Sequence, residues 1–342
     1  MTFQSHSDSV LYITYSPQGI HSAHAYQYEA LKGRTISLFK RTLLTKLPSR
    51  KFSVIISEGW RPSIYASLFK KLGVMAVHIN ITFGDFLKLP ERYPWAKGLV
   101  KKICDNIDIF VANSTLTYER LLRVLDVDKD RVFVSWPIIV DNKRAMLKNI
   151  KPLFNNKLTI CHMSRLRDED GPDNLIRIYE KLRSELGNNV YMYIIGRPIE
   201  RKYKKLYNKL LHYSRKKKKF KVLGHLPYTI VCKIFRKCCF FIYPANLKSF
   251  GLPVIEAMAA GLIPVVTKTT GARDFVYAVD KRLIVSRIED MVKVLLELYT
   301  YKASELSEWS KRAKEIALAW NKERAKIHYI TRLRRALKNI KA

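Results

Sequence analysis

A chain of 342 residues exceeds one ordinary core and suits two domains of roughly 150 to 190 residues each. Its 48% hydrophobic and 11% aromatic content excludes a disordered or low-complexity protein, and its longest apolar runs fall short of the ~18–20 residues that span a bilayer. The net charge of +34, with +10 on residues 1–150 and +24 on the remainder, favours polyanionic partners or anionic lipid surfaces but says nothing about fold.

Residues 1–9 are polar and lack the basic and apolar regions of a secretory signal, which places the protein in the cytoplasm as an expectation. Five cysteines, two of them adjacent at Cys238 and Cys239, fit neither a disulfide framework nor paired metal-ligand spacing. They read as reduced core residues, and no metal site is expected.

Short apolar runs alternate with longer amphipathic ones, the pattern of parallel strands joined by crossover helices. Strands are predicted at residues 10–14, 53–57, 74–79, 107–112 and 132–136, with helices at 62–72 and 115–125 between them. The polar stretch 141–156 has no clear periodicity and is the expected linker. The theme repeats with strands at 159–163, 190–195, 221–223, 240–243 and 264–266 and helices at 173–186, 201–214, 229–237 and 253–260. After Ile288 the chain reads as helices only, 289–299 and 305–339, with a break near Trp320 and Asn321. Two similar α/β domains in series follow from this order.

The segment richest in chemistry is Tyr243-Pro-Ala-Asn-Leu-Lys-Ser-Phe-Gly-Leu-Pro-Val-Ile-Glu-Ala-Met-Ala-Ala-Gly, followed by Leu262-Ile-Pro-Val-Val. A strand ends at Tyr243, a loop holds Gly251, and Pro253 sits where it can open a helix that Gly261 closes. Free backbone N–H groups and the positive helix end suit an anion such as a diphosphate, which Gly251 allows close to the main chain. Glu256, in the first turn, can accept hydrogen bonds from sugar hydroxyls. The same pattern also fits a purely structural turn.

This segment resembles the signature of family 4 glycosyltransferases of the GT-B fold, in which an acidic residue and a Glu are separated by seven positions and followed by Ala-Met-Ala and a Gly before Pro-Val. Val111-Ala-Asn-Ser-Thr, Asp130-Arg-Val-Phe-Val, Cys161-His-Met-Ser-Arg-Leu, Tyr193-Ile-Ile-Gly-Arg-Pro and Gly271-Ala-Arg-Asp-Phe-Val extend the resemblance over most of the chain. It implies an α/β fold of two Rossmann-like α/β/α domains facing a central cleft: residues 1–150 on the acceptor side, 151–315 binding the nucleotide-sugar donor, and a basic helix at 316–342 returning to the first domain. It further implies that Arg165 holds the donor diphosphate, that Ser249, Phe250, Gly251 and Leu252 line the phosphates or the sugar, and that Glu256 binds the ribose. A UDP- or GDP-linked hexose would serve as substrate with no cofactor and no metal, and transfer would retain the anomeric configuration.

Two positions depart from the family pattern. Lys248 stands where the first acidic residue is usual, and Asp170 where a Lys is usual, ahead of the expected Gly171. The expectation is that Lys248 supplies the missing cation in the donor site and acts there together with Glu256. In the first half, His78 is the candidate for a histidine facing the reacting carbon, and Gly19 and His21, in a loop with one Gly where the family usually has two, are candidates on the phosphate or acceptor side.

The acceptor is read as lipid-linked, a glycan or polyanionic. Residues 36–47 alternate Leu38, Phe39, Leu43 and Leu44 with Lys40, Arg41 and Lys46, which suits a short helix on an anionic membrane and hence peripheral attachment. The run 215–221 reads as a solvated turn. Two other classes are open: a catalytically weakened relative that binds nucleotide or polyanion, motivated by Lys248 and Asp170, and a nucleic-acid-binding or nucleic-acid-modifying protein. The second has only the charge in its favour, since no recognition motif is present.

Overall fold

The computed structural model describes residues 10–14, 22–31, 34–37, 52–71, 75–82, 87–88, 90–91, 93–198 and 200–341. The chain divides into two compact units, Met1–Ile138 with Asn321–Ala342, and Ile139–Trp320.

In the first unit, β1 (Val10–Thr14), β2 (Arg34–Ser37), β3 (Phe52–Glu58), β4 (Met75–Thr82), β5 (Ile109–Ala112) and β6 (Val132–Val134) form one parallel sheet in the order β2-β1-β3-β4-β5-β6. The crossovers carry α1 (Ala25–Leu31), α2 (Trp60–Lys71), α3 (Ala96–Cys104) and α4 (Thr115–Leu125). β1 and β5 are buried along their whole length, as strands covered on both faces must be. Ser114 caps α4 by accepting from the Thr117 N–H.

The second unit opens with α5 (Asp141–Leu147), in the stretch expected to be a linker. The boundary therefore falls at residue 138, because side chains of α5 are committed to the second unit: Lys143 to Glu256 and Arg144 to the carbonyls of Leu318 and Trp320. Then follow β7 (Leu158–Met163), α6 (Asn174–Leu186), β8 (Val190–Ile195), α7 (Lys204–Lys216), β9 (Phe220–Val222), α8 (Tyr228–Lys237), β10 (Phe240–Tyr243), α9 (Leu252–Ala259), β11 (Ile263–Thr267), α10 (Arg273–Val279) and β12 (Ile284–Val285). All six strands are parallel, in the order β12-β11-β10-β7-β8-β9. The sheet thus grows outward in both directions from the β7–β10 pair, and that reversal is the point at which doubly wound sheets open a crevice at their carboxyl ends.

Helices α11 (Ile288–Tyr299) and α12 (Ala303–Ala319) complete the second unit, and the break expected near Trp320 precedes α13 (Lys322–Lys341). This last helix packs in the first unit. Ala325, Tyr329, Leu333 and Ala336 are buried on one face, and Tyr329 lies edge-on to Tyr26 and against Phe133. Lys322 pairs with Glu29 at 2.7 Å.

β2 was not expected. Ile36 and Ser37, read as the start of a membrane-surface helix over 36–47, end this strand instead, because Arg34–Ser37 pairs in register with Leu11–Thr14. The remainder of 36–47 lies outside the described residues.

Each unit buries a histidine. His78 and His162 are fully buried, and burial pushes both rings down from the ordinary 6.5 to about 4. Both are therefore neutral in the folded chain. Their share of stability is complete above pH 6.5 and drains as the pH falls from 6.5 toward 4, where the unfolded chain protonates before the folded one. We expect melting temperature to decline across that window, and the decline to be shallower in a His78→Asn/His162→Asn variant, as measured by calorimetry at stepped pH.

Candidate functional site

The loop after β7 carries Arg165. It turns at Leu166, whose φ of +51° lies in the left-handed region that a branched side chain adopts only when its surroundings require it. The requirement is visible in a chain of hydrogen bonds. The Leu166 N–H donates to Ser164 Oγ at 3.0 Å, Ser164 Oγ lies 2.9 Å from His162 Nε2, and His162 Nδ1 lies 3.1 Å from the Ile242 carbonyl. A carbonyl can only accept, so Nδ1 carries the proton and Nε2 accepts from Ser164. Gly196, in the Ile-Ile-Gly motif, is needed alongside. At φ +123°, a Cβ there would lie 1.8 Å from the Ser164 carbonyl oxygen. The result leaves the Arg165 side chain exposed, with no hydrogen bond or ion pair to other described residues.

The loop after β10 faces it across the switch point. It is fastened to the loop after β11 by Lys248 N–H to Thr269 O at 2.8 Å, Gly271 N–H to Lys248 O at 2.9 Å and Ala272 N–H to Phe250 O at 2.7 Å. Phe250 is buried edge-on to Phe275, and Ser249 is half-buried beside it. Gly251 takes φ +97° and is the N-cap of α9. The backbone N–H groups of Phe250, Gly251 and Leu252 find no acceptor among the described residues. Three donors at a helix head and a guanidinium without a partner make an anion-binding arrangement.

Glu256, one turn into α9, is buried and pairs with Lys143 Nζ at 2.7 Å, while Lys143 also lies 4.5 Å over the Tyr228 ring. Burial raises the Glu256 carboxyl above its ordinary range, and Lys143 opposes that rise. The Tyr228 hydroxyl is shielded from solvent close to Glu256 and makes no hydrogen bond of normal geometry. Its pKa is raised, first by burial and then by the Glu256 charge.

The two departures from the family pattern meet in space. Lys248 Nζ is 2.8 Å from Asp170 and 2.8 Å from Glu169. Asp170 is fully buried and also accepts from the Tyr243 hydroxyl at 2.7 Å and from the Arg167 N–H at 3.2 Å. Gly171 seals the corner, since at φ +66° a Cβ would lie 1.8 Å from the Pro244 carbonyl oxygen.

The structure thus gathers Arg165, Lys248, Ser249, Phe250, Gly251, Leu252 and Glu256 onto the two loops and the helix head at one sheet edge. His78 belongs to the other unit, inside β4. Its Nε2 lies 2.8 Å from Ser57 Oγ and its Nδ1 3.1 Å from the Asn106 carbonyl, so both ring nitrogens are engaged within the core and neither is open to a substrate. Gly19 and His21 lie outside the described residues. Sequence reasoning missed Lys143, Tyr228, Tyr243 and His162. His162, inside the Cys-His-Met-Ser-Arg motif, and Tyr243, at the head of the segment richest in chemistry, had a local signal; Lys143 and Tyr228 had none. Among the described residues no cluster of His, Cys, Asp or Glu could hold a metal ion, and no helix is long and apolar enough to cross a membrane.

Two Rossmann-like units, the second with its anion-binding groups at the sheet's switch point and the first closed by a returning C-terminal helix, define a GT-B glycosyltransferase. The family model of the glycosyl transferases group 1 matches residues 143–316, just over half of the chain, and the chain belongs to that family. No curated protein matches the sequence. Among solved structures, Anabaena HepE in complex with UDP and glucose is similar at a TM-score of 0.70 and 12% identity, covering 95% of this chain and 99% of that one. A UDP-forming trehalose-phosphate synthase from Burkholderia xenovorans gives 0.74 and 12%, covering 96% and 99%. S. aureus TarM in complex with fondaparinux, α-GlcNAc-glycerol and UDP gives 0.62 and 16%, covering 88% and 58%. At these identities the likeness is one of fold.

Lys143 gives the site a measurable signature. Lys143→Met leaves the buried Glu256 carboxylate without its cation, with an expected loss of about 1–2 kcal/mol, below the ~3–5 kcal/mol of a fully buried pair because Lys143 is 36% exposed. A protonated carboxyl needs no cation, so the loss should be small at acidic pH and grow as the pH rises above the ordinary carboxylate range. Glu256→Gln in the same background should recover most of it. Denaturant unfolding of the wild type, Lys143→Met and Lys143→Met/Glu256→Gln at two pH values checks this.

Proposed function

We propose that the protein is a retaining, family 4-type hexosyltransferase that takes its sugar from a UDP- or GDP-linked donor held in the second unit. The observation that carries this reading is that the unpaired Arg165 guanidinium and the free N–H groups of Phe250, Gly251 and Leu252 stand on the loops that leave the carboxyl ends of the adjacent strands β7 and β10, with the buried Glu256 one helical turn further on. A diphosphate needs several donors converging on its oxygens, and a ribose diol needs a fixed acceptor nearby. Of the three neighbours of the same fold, two were solved with UDP and one is UDP-forming, which favours a uridine donor.

In this reading the acceptor hydroxyl attacks the anomeric carbon and the bond from that carbon to the diphosphate oxygen breaks. The diphosphate leaves with the electron pair and takes the acceptor proton. Arg165 and the helix head stabilise the charge that develops on it, the role otherwise given to a metal. No protein base is required, consistent with the enclosed position of His78. The reaction would take place in the cytoplasm.

A second reading, a nucleotide binder with weakened transfer, draws on Lys248 and Asp170. Their contact at 2.8 Å favours an exchange of polarity over a loss. The cation absent at 170 is present at 248, and the anion absent at 248 is present at 170. Lys248 is then the group that meets the donor, with Asp170 and Glu169 positioning its ammonium.

Two outcomes are expected from calorimetric titration. UDP or GDP should bind saturably, and Arg165→Ala and Glu256→Ala should each weaken binding about tenfold or more, the cost of a charge-assisted contact. Absence of any nucleotide binding would overturn the donor reading. Lys248→Ala should lower affinity for the nucleotide sugar and slow transfer. Unchanged affinity and turnover would return Lys248 to a purely structural role.

A further inference from the structure

Of the large apolar side chains exposed among the described residues, Leu153, Tyr277 and Ile327 stand singly along the chain, whereas Ile64, Leu68, Tyr93, Trp95 and Leu99 fall close together. Trp95 is 75% exposed, Leu99 55%, Leu68 46% and Ile64 42%. All four lie on α2, on α3 or on the residue that precedes α3, and these helices touch on one face of the first unit's sheet.

On α2 the division is sharp. Pro62, Ser63, Ala66, Ser67 and Phe69 face the sheet, while Ile64, Leu68 and Lys71 share the outer face at helical spacing. On α3, Ala96, Val100 and Cys104 are buried, whereas Leu99 projects outward among exposed Lys97, Lys101 and Lys102. Trp95 stands at the N-terminal end of α3. A helix between parallel strands starts at their carboxyl edge, so Trp95 and Ile64 lie toward the edge where such sheets receive ligands.

Residues 59–104 contain eight Lys and Arg but only two acidic residues, Asp85 and Glu91. Of these, Glu91 is committed to Arg120 at 3.0 Å. The surface is therefore apolar and cationic together. Aliphatic chains gain nothing from the charge of a soluble polyanion, and an indole gains only where unpaired bases are offered for stacking. They gain a great deal at a bilayer interface, where indole sits at the headgroups, leucine reaches the acyl boundary and lysine meets anionic lipid.

The basic tract of the second unit makes the contrast. Residues 201–255 hold fifteen Lys and Arg and no acidic residue, yet none of the large exposed apolar side chains lies there. Charge alone does not single out α2 and α3, nor does charge beside one exposed apolar group, as with Ile327 on the basic α13; charge with several exposed apolar groups close together does.

We propose that the outer face of α2 and α3 docks the protein on an anionic lipid surface, with Trp95, Leu99, Leu68 and Ile64 entering the interface and Lys97 and Lys101 meeting the headgroups. This is the surface from which a lipid-linked acceptor would be reached. The proposal does not rest on the donor reading, since vesicle binding requires no nucleotide.

The test is co-sedimentation of the full chain with phosphatidylcholine vesicles, with and without about a third phosphatidylglycerol. Binding should favour the anionic vesicles, with a blue shift in tryptophan emission. A Trp95→Ser/Leu99→Ser variant should lose about tenfold in partition, as expected for removing two inserted apolar groups, while keeping its melting temperature. A Lys204→Ser/Lys205→Ser/Lys209→Ser variant on α7 should bind almost as wild type does. No preference for anionic vesicles would overturn the proposal. So would binding that survives Trp95→Ser/Leu99→Ser, falls with the α7 variant and is displaced by duplex DNA, an outcome that marks the basic tract as a surface for soluble polyanions.

Discussion

The second unit depends on how β7 and β10 part company. Their register runs from Ile160 opposite Phe240 to Cys161 opposite Phe241 and then stops, although each strand continues for two more residues. Parallel strands that separate leave unpaired main-chain groups, which cannot stay buried without partners. His162 fills the gap. Its ring stacks on Tyr243, donates to the Ile242 carbonyl and accepts from Ser164, and Ser164 in turn fixes the left-handed turn at Leu166. One neutral imidazole thus ties the end of β10 to the loop that aims Arg165. Protonating Nε2 would remove the acceptor on which Ser164 relies, which ties the burial of this ring to the geometry of the loop.

Much of this was legible in the sequence because it is local. Alternating apolar runs gave the order of the elements, and the segment from Tyr243 to Val266 displayed strand, loop and helix head in consecutive residues. The rest depends on contacts between positions far apart. Nothing around Lys143 hints that it will pair with Glu256, 113 residues later. The stretch containing it reads as a linker because α5 is only seven residues long, too short to show a period. β2, with four residues, escaped for the same reason. Lys248 and Asp170 were each visible as departures from a pattern, and only their proximity turns two anomalies into one pair.

The charge has more than one use. In the second unit β9 is an edge strand, and Lys219 and Lys221 lie at its start and within it, where lysine discourages pairing with another chain. Lys219 also donates to the Asn188 carbonyl and lies over the Tyr191 ring. The run from Arg215 to Lys221 is a helix end, a turn and the strand it protects. The same residue type on α3 sits among exposed apolar groups and has a different physical meaning.

The position of α13 bears on how the protein is made. The first unit is discontinuous, since the helix that covers Tyr26 and Phe133 is encoded beyond the whole of the second unit. During synthesis the six strands of the first sheet leave the ribosome without the cover that Tyr329 provides, and the second unit has everything it needs for its own core before that cover exists. The domain made first is completed last, and its apolar face near Tyr26 waits open through the translation of the domain that follows.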